Sequence, residues 1–214
     1  MTFKILHIYI LLFSTNFSID FHQLTVKIIS EVSRLEGDVK AICVPGQFVN
    51  LKLDGFYLRR PISVCDYDEN SVTIIYKVVG EGTEKMRTMK AGEVIDTLTG
   101  LGNGYDTSVS GDRPMLIGGG VGIPPMYGLG KRLIAQGKKV KVILGFNKES
   151  EIFCKEDFEA IGAETYVTTV DGSVGIKGFV TDAKLKEWGM WDIGHKHARD
   201  ACRHCVYYLV SLRK

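Results

Sequence analysis

Residues 115–125 read MLIGGGVGIPP, an apolar run that enters a glycine cluster and then two prolines. The run is typical of a buried strand, and Pro124 and Pro125 fit only the first turn of a helix, where a missing N–H costs nothing. Four glycines within the five positions 118–122 let the chain turn tightly and let a phosphate approach the backbone. The spacing is neither a Walker loop nor Gly-x-Gly-x-x-Gly. We interpret the stretch as a nucleotide-binding turn, with a purely structural turn as the alternative.

Downstream of this turn, segments that favour strands alternate with segments that favour helices. Such alternation predicts a parallel sheet covered by helices. The predicted strands are 115–119, 139–145 and 163–170, and the predicted helices are 123–136, 155–161 and 178–187.

Upstream of the turn, short β-rich segments follow one another with turn signals between them. This pattern predicts a small antiparallel barrel that ends near residues 110–112. The predicted strands are 24–30, 38–44, 47–53, 61–67, 71–79 and 93–98, with a short helix at 83–90. The fold class is therefore β plus α/β: an antiparallel barrel followed by a parallel-sheet nucleotide-binding domain.

The overall composition excludes several classes of protein. The chain has 214 residues, of which 45% are hydrophobic and 24% charged, which excludes a disordered or collagen-like chain. A formal net charge of +2 gives no basic field for nucleic acid. Five cysteines at irregular spacings indicate no disulfide framework and favour a reducing, cytoplasmic location.

The N-terminus carries an apolar run at residues 3–13, behind Lys4. A membrane-spanning helix needs roughly 20 apolar residues, so we expect no membrane span here. The run resembles a weak signal peptide, although no clear cleavage site follows it. An upstream extension or a first strand is the alternative.

One motif of the predicted barrel is Arg60-Pro61-Ile62-Ser63, at the start of a strand. A guanidinium pairs with phosphate in fork geometry, and a serine three residues later can bond the edge of a flavin ring. The alternative is an ordinary surface arginine beside an edge-strand proline.

A second motif places Gly80-Glu81-Gly82-Thr83 shortly after Ile75-Tyr76-Lys77. Glycine lets backbone N–H groups approach a phosphate, and a helix that starts here offers its positive end. Tyr76 could stack on a planar ring. The alternative is a strand-to-helix turn capped by Thr83.

Taken together and in this order, the three motifs resemble the ferredoxin–NADP reductase superfamily. Within it, residues 34–183 resemble the electron transfer subunit of NAD-dependent (type B) dihydroorotate dehydrogenase, through GQFVNLKL, LRRPISVCDY, TIIYKVVGEGTE, GLGNGY, GGGVGIPPMYGL and LGFN. The resemblance implies FAD in the barrel, NAD at the glycine turn and a 2Fe–2S cluster in a C-terminal segment. It also implies a heterotetramer with a catalytic FMN subunit that oxidises dihydroorotate in pyrimidine biosynthesis, electrons passing through FAD to NAD⁺.

The resemblance assigns cofactor contacts residue by residue, and none of them is catalytic, because hydride and electron transfer are the cofactor's chemistry. The residues expected at FAD are Arg60, Pro61, Ile62, Ser63, Ile75, Tyr76, Lys77, Gly82 and Thr83. Those expected at NAD are Gly118, Gly119, Gly120, Gly122, Ile123 and Pro124, and also Thr169, Asp171 and Gly172 in a later loop.

Both ends of the chain depart from the family. The expected division is a divergent leader at 1–23, the FAD-binding barrel at 24–111, an incomplete NAD-binding domain at 112–183 and a divergent tail at 184–214. We interpret the two ends as an altered reading frame or a truncated gene, joined to a central segment that matches the family.

The tail lacks the four cysteines that the family uses for its cluster. Cys202 and Cys205, with His197 and His204 nearby, form only a weak zinc pattern, so no metal ligands are assigned.

Two other functions stay open at this point: a stand-alone NAD(P)H-dependent flavin or quinone reductase, and a non-catalytic FAD-binding remnant. The resemblance alone favours NAD over NADP. No arginine follows Gly145-Phe146-Asn147 to hold a 2′-phosphate, although Lys148 could serve.

Overall fold

The computed structural model describes residues 2–9, 31–37, 39–183 and 208–211. Its strands are β1 (Thr2–Tyr9), β2 (Glu31–Glu36), β3 (Phe48–Lys52), β4 (Arg60–Tyr67), β5 (Ser71–Tyr76), β6 (Val94–Leu101), β7 (Pro114–Gly119), β8 (Lys141–Phe146), β9 (Glu164–Thr169), β10 (Ile176–Lys177) and β11 (Tyr208–Ser211). Its α-helices are α1 (Glu81–Thr88), α2 (Pro124–Ala135) and α3 (Lys155–Ala160). None of these helices has the length and apolarity that a membrane crossing requires.

The first six strands form a closed barrel in the order β1-β2-β5-β4-β3-β6, with every neighbouring pair antiparallel. In β3 the side chains alternate as predicted, and Val49 and Leu51 are fully buried. They pack with Leu35 of β2 and Ile74 of β5 in one apolar cluster. The predicted antiparallel barrel is confirmed.

The strand predicted at 38–44 is wrong, because residues 39–44 form a loop built around the buried side chain of Gln47. Gln47 Oε1 accepts hydrogen bonds from the amides of Cys43 and Val44, at 2.9 and 3.2 Å. Backbone donors that a strand would use for its ladder are therefore taken by a side chain. The β-rich composition of the segment gives no sign of this.

Two stretches outside the predicted strands also belong to the barrel. β2 was missed because it contains only two apolar residues, and β1 lies within the segment expected to be a leader. β1 closes the barrel between β2 and β6, which matches the alternative of a first strand. The strand predicted at 24–30 lies outside the described residues.

The second unit is a five-stranded sheet in the order β10-β9-β8-β7-β11. Its first four strands are parallel, as predicted, while β11 pairs antiparallel with β7 at the edge. α2 begins with Pro124 and Pro125 in its first turn, also as predicted, and buries Leu129 and Leu133 in the core beside the sheet.

The helix predicted at 178–187 does not start where expected. Residues 178–183 form turns, in which the Phe179 amide donates to Asp182 Oδ2 at 2.7 Å and the Asp182 amide donates back to the Phe179 carbonyl at 2.8 Å. Residues 184–187 lie outside the described part of the chain.

The two units share a core along the contact between α2 and β4. Cys65 of β4 and Ile75 of β5 are buried in the same apolar cluster as the α/β domain. Gly128 of α2 lies so close to the Cys65 carbonyl that a Cβ would sit 2.8 Å from the oxygen. Lys131 forms an ion pair with Asp66 at 2.7 Å beside this contact. The barrel and the sheet are therefore held in one arrangement.

Candidate functional site

Two adjacent arginines at the start of β4 have different surroundings. Arg59 Nη2 pairs with Asp96 Oδ2 at 2.7 Å, and its Nη1 donates to the carbonyls of Asn50 and Asp96. Among the described residues, Arg60 donates only to the Leu58 carbonyl, at 2.6 Å, and it lies 4.9 Å above the Phe56 ring. No carboxylate pairs with Arg60 among the described residues. Arg59 therefore ties the barrel strands together, while the charge of Arg60 is available to an anion.

The Arg60 guanidinium lies against the first turn of α1. A Cβ on Gly82 would overlap its Nε atom, so only glycine allows this approach. The first-turn amides of a helix have no acceptor within the helix and carry its positive end. The same turn holds two carboxylates: Glu84 forms an ion pair with Arg87, and Glu81 forms none with any described residue. A guanidinium and a helix start thus meet where the sequence predicts a flavin phosphate.

Thr83 holds the turn that leads into α1. Its hydroxyl accepts from the amides of Val79 and Gly80, at 3.0 and 3.2 Å, and donates to the Gly80 carbonyl at 2.9 Å. β5 ends at Tyr76, three residues before the predicted end, and the Val79 amide bonds the Thr83 hydroxyl instead of a strand. The Thr83 side chain bonds the backbone of the loop, which agrees with the alternative of a strand-to-helix turn capped by Thr83.

The other residues assigned to FAD lie on β4 and β5. Pro61 is exposed, Ser63 is half-buried, and Ile62 is packed against the barrel core. Ile75 and Tyr76 are buried side chains of the two cores. These positions lie on the strand of Arg60 and on its neighbour β5, and their contact with FAD stays a prediction.

A groove of about 210 Å³ crosses the carboxyl ends of the parallel strands. Carboxyl ends of parallel strands are where open α/β sheets bind their ligands. Its volume is below the about 300–1,000 Å³ of a typical ligand pocket, so it is too small to enclose a whole dinucleotide. The residues that line it are Lys77, Gly119, Gly120, Val121, Gly145, Phe146, Asn147, Glu151, Phe153, Thr168, Val170, Gly178, Phe179 and Val180.

Lys77 is the one barrel residue in this lining. It is exposed and forms no ion pair with any residue that the structure describes. The resemblance assigned Lys77 to FAD, and the structure places it in the groove lining with Gly119 and Gly120, so its contact with FAD stays a prediction. The groove therefore carries a positive charge from the barrel.

The glycines of the turn fall into two groups. A Cβ on Gly118 would lie 3.1 Å from Ile123, so this glycine is needed for packing. A Cβ on Gly119 would meet nothing nearer than the Gly145 carbonyl at 3.9 Å, and one on Gly120 would meet nothing within 4 Å, although its φ of +52° also favours glycine. The open space above Gly119 and Gly120 is where a nucleotide could approach the backbone.

The rest of the predicted turn is buried. Gly122 is buried in the short helix before α2, Pro124 is buried in the first turn of α2, and Ile123 belongs to the core. Only Gly119 and Gly120 of the predicted group line the groove.

In the loop after β9, the three residues expected at NAD lie outside the groove lining, and the neighbouring Thr168 lies in it. Thr169 uses its hydroxyl to bond Val174 at 2.7 Å, and Asp171 accepts from the Ser173 hydroxyl and amide, at 2.6 and 2.9 Å. The Ser173 bonds hold the pKa of Asp171 below its usual range. Neither these residues nor Gly172 line the groove, so their contact with NAD stays a prediction.

Thr168 lies in the groove lining instead, and sequence reasoning missed it. Its hydroxyl is buried and has no hydrogen-bond partner among the described residues. A buried hydroxyl without a partner is costly, and a bound ligand can supply one. The residues at the groove thus fit a polar nucleotide.

Asn147 and Glu151 after β8 were also missed as site residues. Asn147 Nδ2 donates to Glu151 Oε2 at 2.9 Å, which places a carboxylate in the lining. The available signal was an acidic residue after the second strand of a nucleotide-binding unit.

The described residues contain no group of three or more histidine, cysteine or acidic side chains that could hold a metal ion. Cys202, Cys205, His197 and His204 lie outside the described part of the chain.

Comparison with known families supports this reading of the fold. Residues 116–199 match the oxidoreductase NAD-binding domain. The match runs beyond residue 183, where the resemblance was expected to stop.

Curated relatives match the barrel and the sheet together. The dihydroorotate dehydrogenase B (NAD(+)), electron transfer subunit, of Fusobacterium nucleatum subsp. nucleatum is 51% identical over 155 residues, which are 69% of this chain and 60% of the relative. The same subunit of Bacillus mycoides is 46% identical over 156 residues, with the same coverage of 69% and 60%. The chain thus spans about 60% of the length of the curated relatives that it matches.

Solved structures share the two-unit architecture. An NADH-dependent reduced ferredoxin–NADP oxidoreductase has a TM-score of 0.70 at 28% identity, and the match covers 87% of this chain and 63% of that one. The flavohem-like FAD/NAD-binding domain of nitric oxide dioxygenase from Vibrio cholerae O1 biovar El Tor has a TM-score of 0.66 at 19% identity, covering 86% and 81%. The latter likeness supports the fold alone. Over the part of its relatives that it spans, the chain is similar in sequence to the dihydroorotate dehydrogenase B electron transfer subunits and shares the two-unit architecture of ferredoxin–NADP reductase-like proteins.

Proposed function

We propose that this chain is an electron transfer flavoprotein subunit that passes electrons from dihydroorotate oxidation to NAD⁺, with FAD held by the barrel. The observation that carries the proposal is the Arg60 guanidinium against Gly82 at the start of α1, with no carboxylate partner among the described residues. A cation and a helix start in contact are suited to a pyrophosphate.

In the barrel, the chain's own residues bind and orient the flavin. Arg60 and the first-turn amides of α1 hold phosphate charge, with Thr83 keeping the turn in shape. Ser63 orients the ring through its hydroxyl. Arg59 does not bind FAD, because its guanidinium is committed to Asp96 and to two carbonyls.

In the α/β domain, the groove binds the nicotinamide nucleotide. Gly119 and Gly120 let the nucleotide approach the backbone, Lys77 supplies positive charge, and Thr168 offers an unused hydroxyl. FAD and NAD, when bound, supply hydride exchange between flavin and nicotinamide, and the chain sets their positions. Because Lys77 comes from the barrel, the groove lies at the border of the two units, where the cofactors would need to meet.

The partner that we propose is a catalytic subunit containing FMN, in a heterotetramer, because the relatives are named electron transfer subunits of dihydroorotate dehydrogenase B. We assign iron ligands for a 2Fe–2S cluster to none of the described residues. Cys43, Cys65 and Cys154 are free thiols, which suits a reducing compartment such as the cytoplasm.

The test is to mix the FAD-loaded chain with the catalytic FMN subunit of a type B enzyme and to follow NAD⁺ reduction driven by dihydroorotate. We expect NADH formation only when both chains are present. Rapid NADH oxidation with an artificial acceptor, but no dihydroorotate-driven rate, would instead favour the stand-alone reductase. A chain that retains FAD and reacts in neither assay would be the non-catalytic remnant.

A further inference from the structure

We propose that Cys65 and Cys154 are a redox-active pair, which hydrogen peroxide closes into a disulfide between the barrel and the α/β domain. The inference goes beyond the proposed function, in which neither cysteine takes part. Both residues are free thiols in this structure, and both are buried.

A β-bulge in β4 turns Cys65 away from the barrel interior. The pairing of β4 with β5 shifts register between Val64 and Asp66, which leaves Cys65 as the extra residue on its strand. A bulge of this kind redirects a side chain. Val64 accordingly packs in the barrel core, whereas Cys65 is buried in the core of the α/β domain. The barrel thus places a thiol inside the other unit.

Cys154 is held at the start of α3 in a backbone conformation that few residues adopt. Its φ of +59° is the only positive φ of a residue other than glycine in the described part of the chain. This region is uncommon for residues other than glycine, asparagine and aspartate. The Cys154 carbonyl accepts from the Phe158 amide at 3.1 Å, and the residue is buried in the same core as Cys65. The α/β domain therefore holds this thiol inwards from a fixed backbone.

The two thiols meet in the core that the barrel and the α/β domain share. The Cys154 side chain is hydrogen-bonded to Cys65 and to the carboxylate of Asp157. A disulfide requires two cysteines whose side chains point towards each other, and this contact meets that requirement. Gly128 packs so closely against the Cys65 carbonyl that a Cβ has no room there, which fixes the backbone of the second cysteine. The pair is therefore assembled before any oxidation.

The same surroundings make the pair slow to react. The hydrogen bond with Cys65 and burial raise the pKa of the Cys154 thiol well above its usual range. Because the thiolate is the attacking form of cysteine, the protonated pair stays reduced in a reducing compartment. Cys65 and Cys154 are only 4% and 2% exposed, so a small oxidant such as hydrogen peroxide is needed to reach them.

The proposed step consumes one hydrogen peroxide for each pair of thiols. One sulfur attacks the peroxide, the O–O bond breaks, and a sulfenic acid and one water form. The second thiol then attacks the sulfenic sulfur, the S–O bond breaks, and the S–S bond forms as a second water leaves. Two thiols and one hydrogen peroxide thus give one disulfide and two waters, and two electrons pass from sulfur to oxygen.

The disulfide would tie together the walls of the two proposed cofactor sites. Ser63 lies two residues before Cys65 on the same strand, and Phe153 of the groove lining directly precedes Cys154. The bond would close a loop of about 90 residues, and cross-links over long loops restrict the unfolded chain most. Oxidation should therefore raise the melting temperature by about 5–15 °C.

The experiment exposes the reduced full chain to hydrogen peroxide, removes the peroxide with catalase, and then unfolds the chain in iodoacetamide. Peptide mass mapping identifies every disulfide and every alkylated thiol. Cys154→Ala is the test variant, and Cys43→Ala is the matched control, because Cys43 is an exposed thiol outside the pair. The melting temperature is measured before oxidation, after oxidation and after reduction with dithiothreitol.

We expect a linked pair of peptides that joins Cys65 to Cys154 and has lost two hydrogens, and a rise in melting temperature that dithiothreitol reverses. Cys43→Ala should behave like the unmodified chain, whereas Cys154→Ala should show neither the linked peptides nor the rise. Alkylation of both Cys65 and Cys154 in the treated unmodified chain would overturn the proposal, as would a sulfinic or sulfonic acid at either residue in place of the bond. The peptide map of the unmodified chain gives this answer even if Cys154→Ala does not fold.

Discussion

Arg59 and Arg60 are adjacent in sequence, but their guanidinium groups have different partners in the fold. The Arg59 guanidinium bonds Asp96 and two backbone carbonyls. The Arg60 guanidinium lies against Gly82 and pairs with no carboxylate of the described residues. The consequence is that a mutation at one should affect the fold and a mutation at the other should affect FAD.

For Arg60→Ala we expect FAD affinity to fall about 10- to 100-fold, because a charge-assisted bond to phosphate is lost. The melting temperature of the FAD-free chain should hardly change. Arg59→Ala is the matched control: it should lower the melting temperature by about 2–4 °C and leave FAD affinity nearly intact. Fluorescence titration with FAD and thermal denaturation measure both quantities, and equal FAD affinity in Arg60→Ala and the unmodified chain would remove Arg60 from the site.

At this scale the sequence identifies Arg60 and the glycines but not Thr168 or Glu151. Arg60 stands in a recognisable motif, and glycine clusters are rare without a backbone reason. Thr168 is one of two adjacent threonines, and only the folded chain shows that Thr169 bonds Val174 while Thr168 has no partner. Such a distinction depends on the turn that follows β9, which the sequence pattern does not reveal.

Among the structural elements, the start of α1 brings a helix and a strand into contact through Gly82. In Gly82→Ala the new methyl group would overlap the Arg60 guanidinium and displace it. We expect FAD affinity to fall about tenfold, while the helix itself gains about 1 kcal/mol from alanine. Gly80→Ala is the control, since its backbone is extended and a Cβ there meets no atom within 4 Å. If both variants bound FAD like the unmodified chain, the contact would have no part in cofactor binding.

The glycine turn after β7 separates packing from binding in a second pair of variants. Gly119→Ala has room for its methyl group, so the chain should fold normally but bind NADH at least about tenfold more weakly, because the nucleotide can no longer approach the backbone. Gly118→Ala should instead destabilise the chain by about 1–3 kcal/mol, because its Cβ would press on Ile123. Calorimetric NADH titration and urea denaturation distinguish the two. Normal NADH binding in Gly119→Ala would contradict the assignment of the groove.

Most elements follow from sequence periodicity, and the exceptions have identifiable causes. The alternation in β3 and the two prolines of α2 act locally, so their elements were predicted correctly. The strand prediction at 38–44 fails because Gln47 binds the amides of Cys43 and Val44, and this depends on where Gln47 is buried. The sequence does not predict β2, because the segment has few apolar residues. Its pairing with β1 and β5 in the barrel makes it a strand.

For the molecule as a whole, the decisive feature is the core shared by the barrel and the α/β domain. Cys65 and Ile75 of the barrel are buried with Leu129 and Phe158 of the other unit. Unfolding one unit would therefore expose apolar surface of the other.

We expect the chain to unfold in one cooperative transition in differential scanning calorimetry, since the units share buried side chains. Gly128→Val should lower the transition temperature, because its side chain would collide with the Cys65 carbonyl. Two separate transitions in the unmodified chain would show that the shared core contributes little to stability.

The central claim is that one chain holds FAD in its barrel and a nicotinamide nucleotide in the adjoining groove, close enough for hydride exchange. The most direct measurement is an anaerobic titration of the purified chain with NADH, followed by visible absorption, with iron and acid-labile sulfide assayed on the same sample. We predict flavin bands that bleach as NADH is added, and that bleach much less in Gly119→Ala. Flavin bands that NADH leaves unchanged, or a colourless chain that takes up no FAD, would contradict the claim.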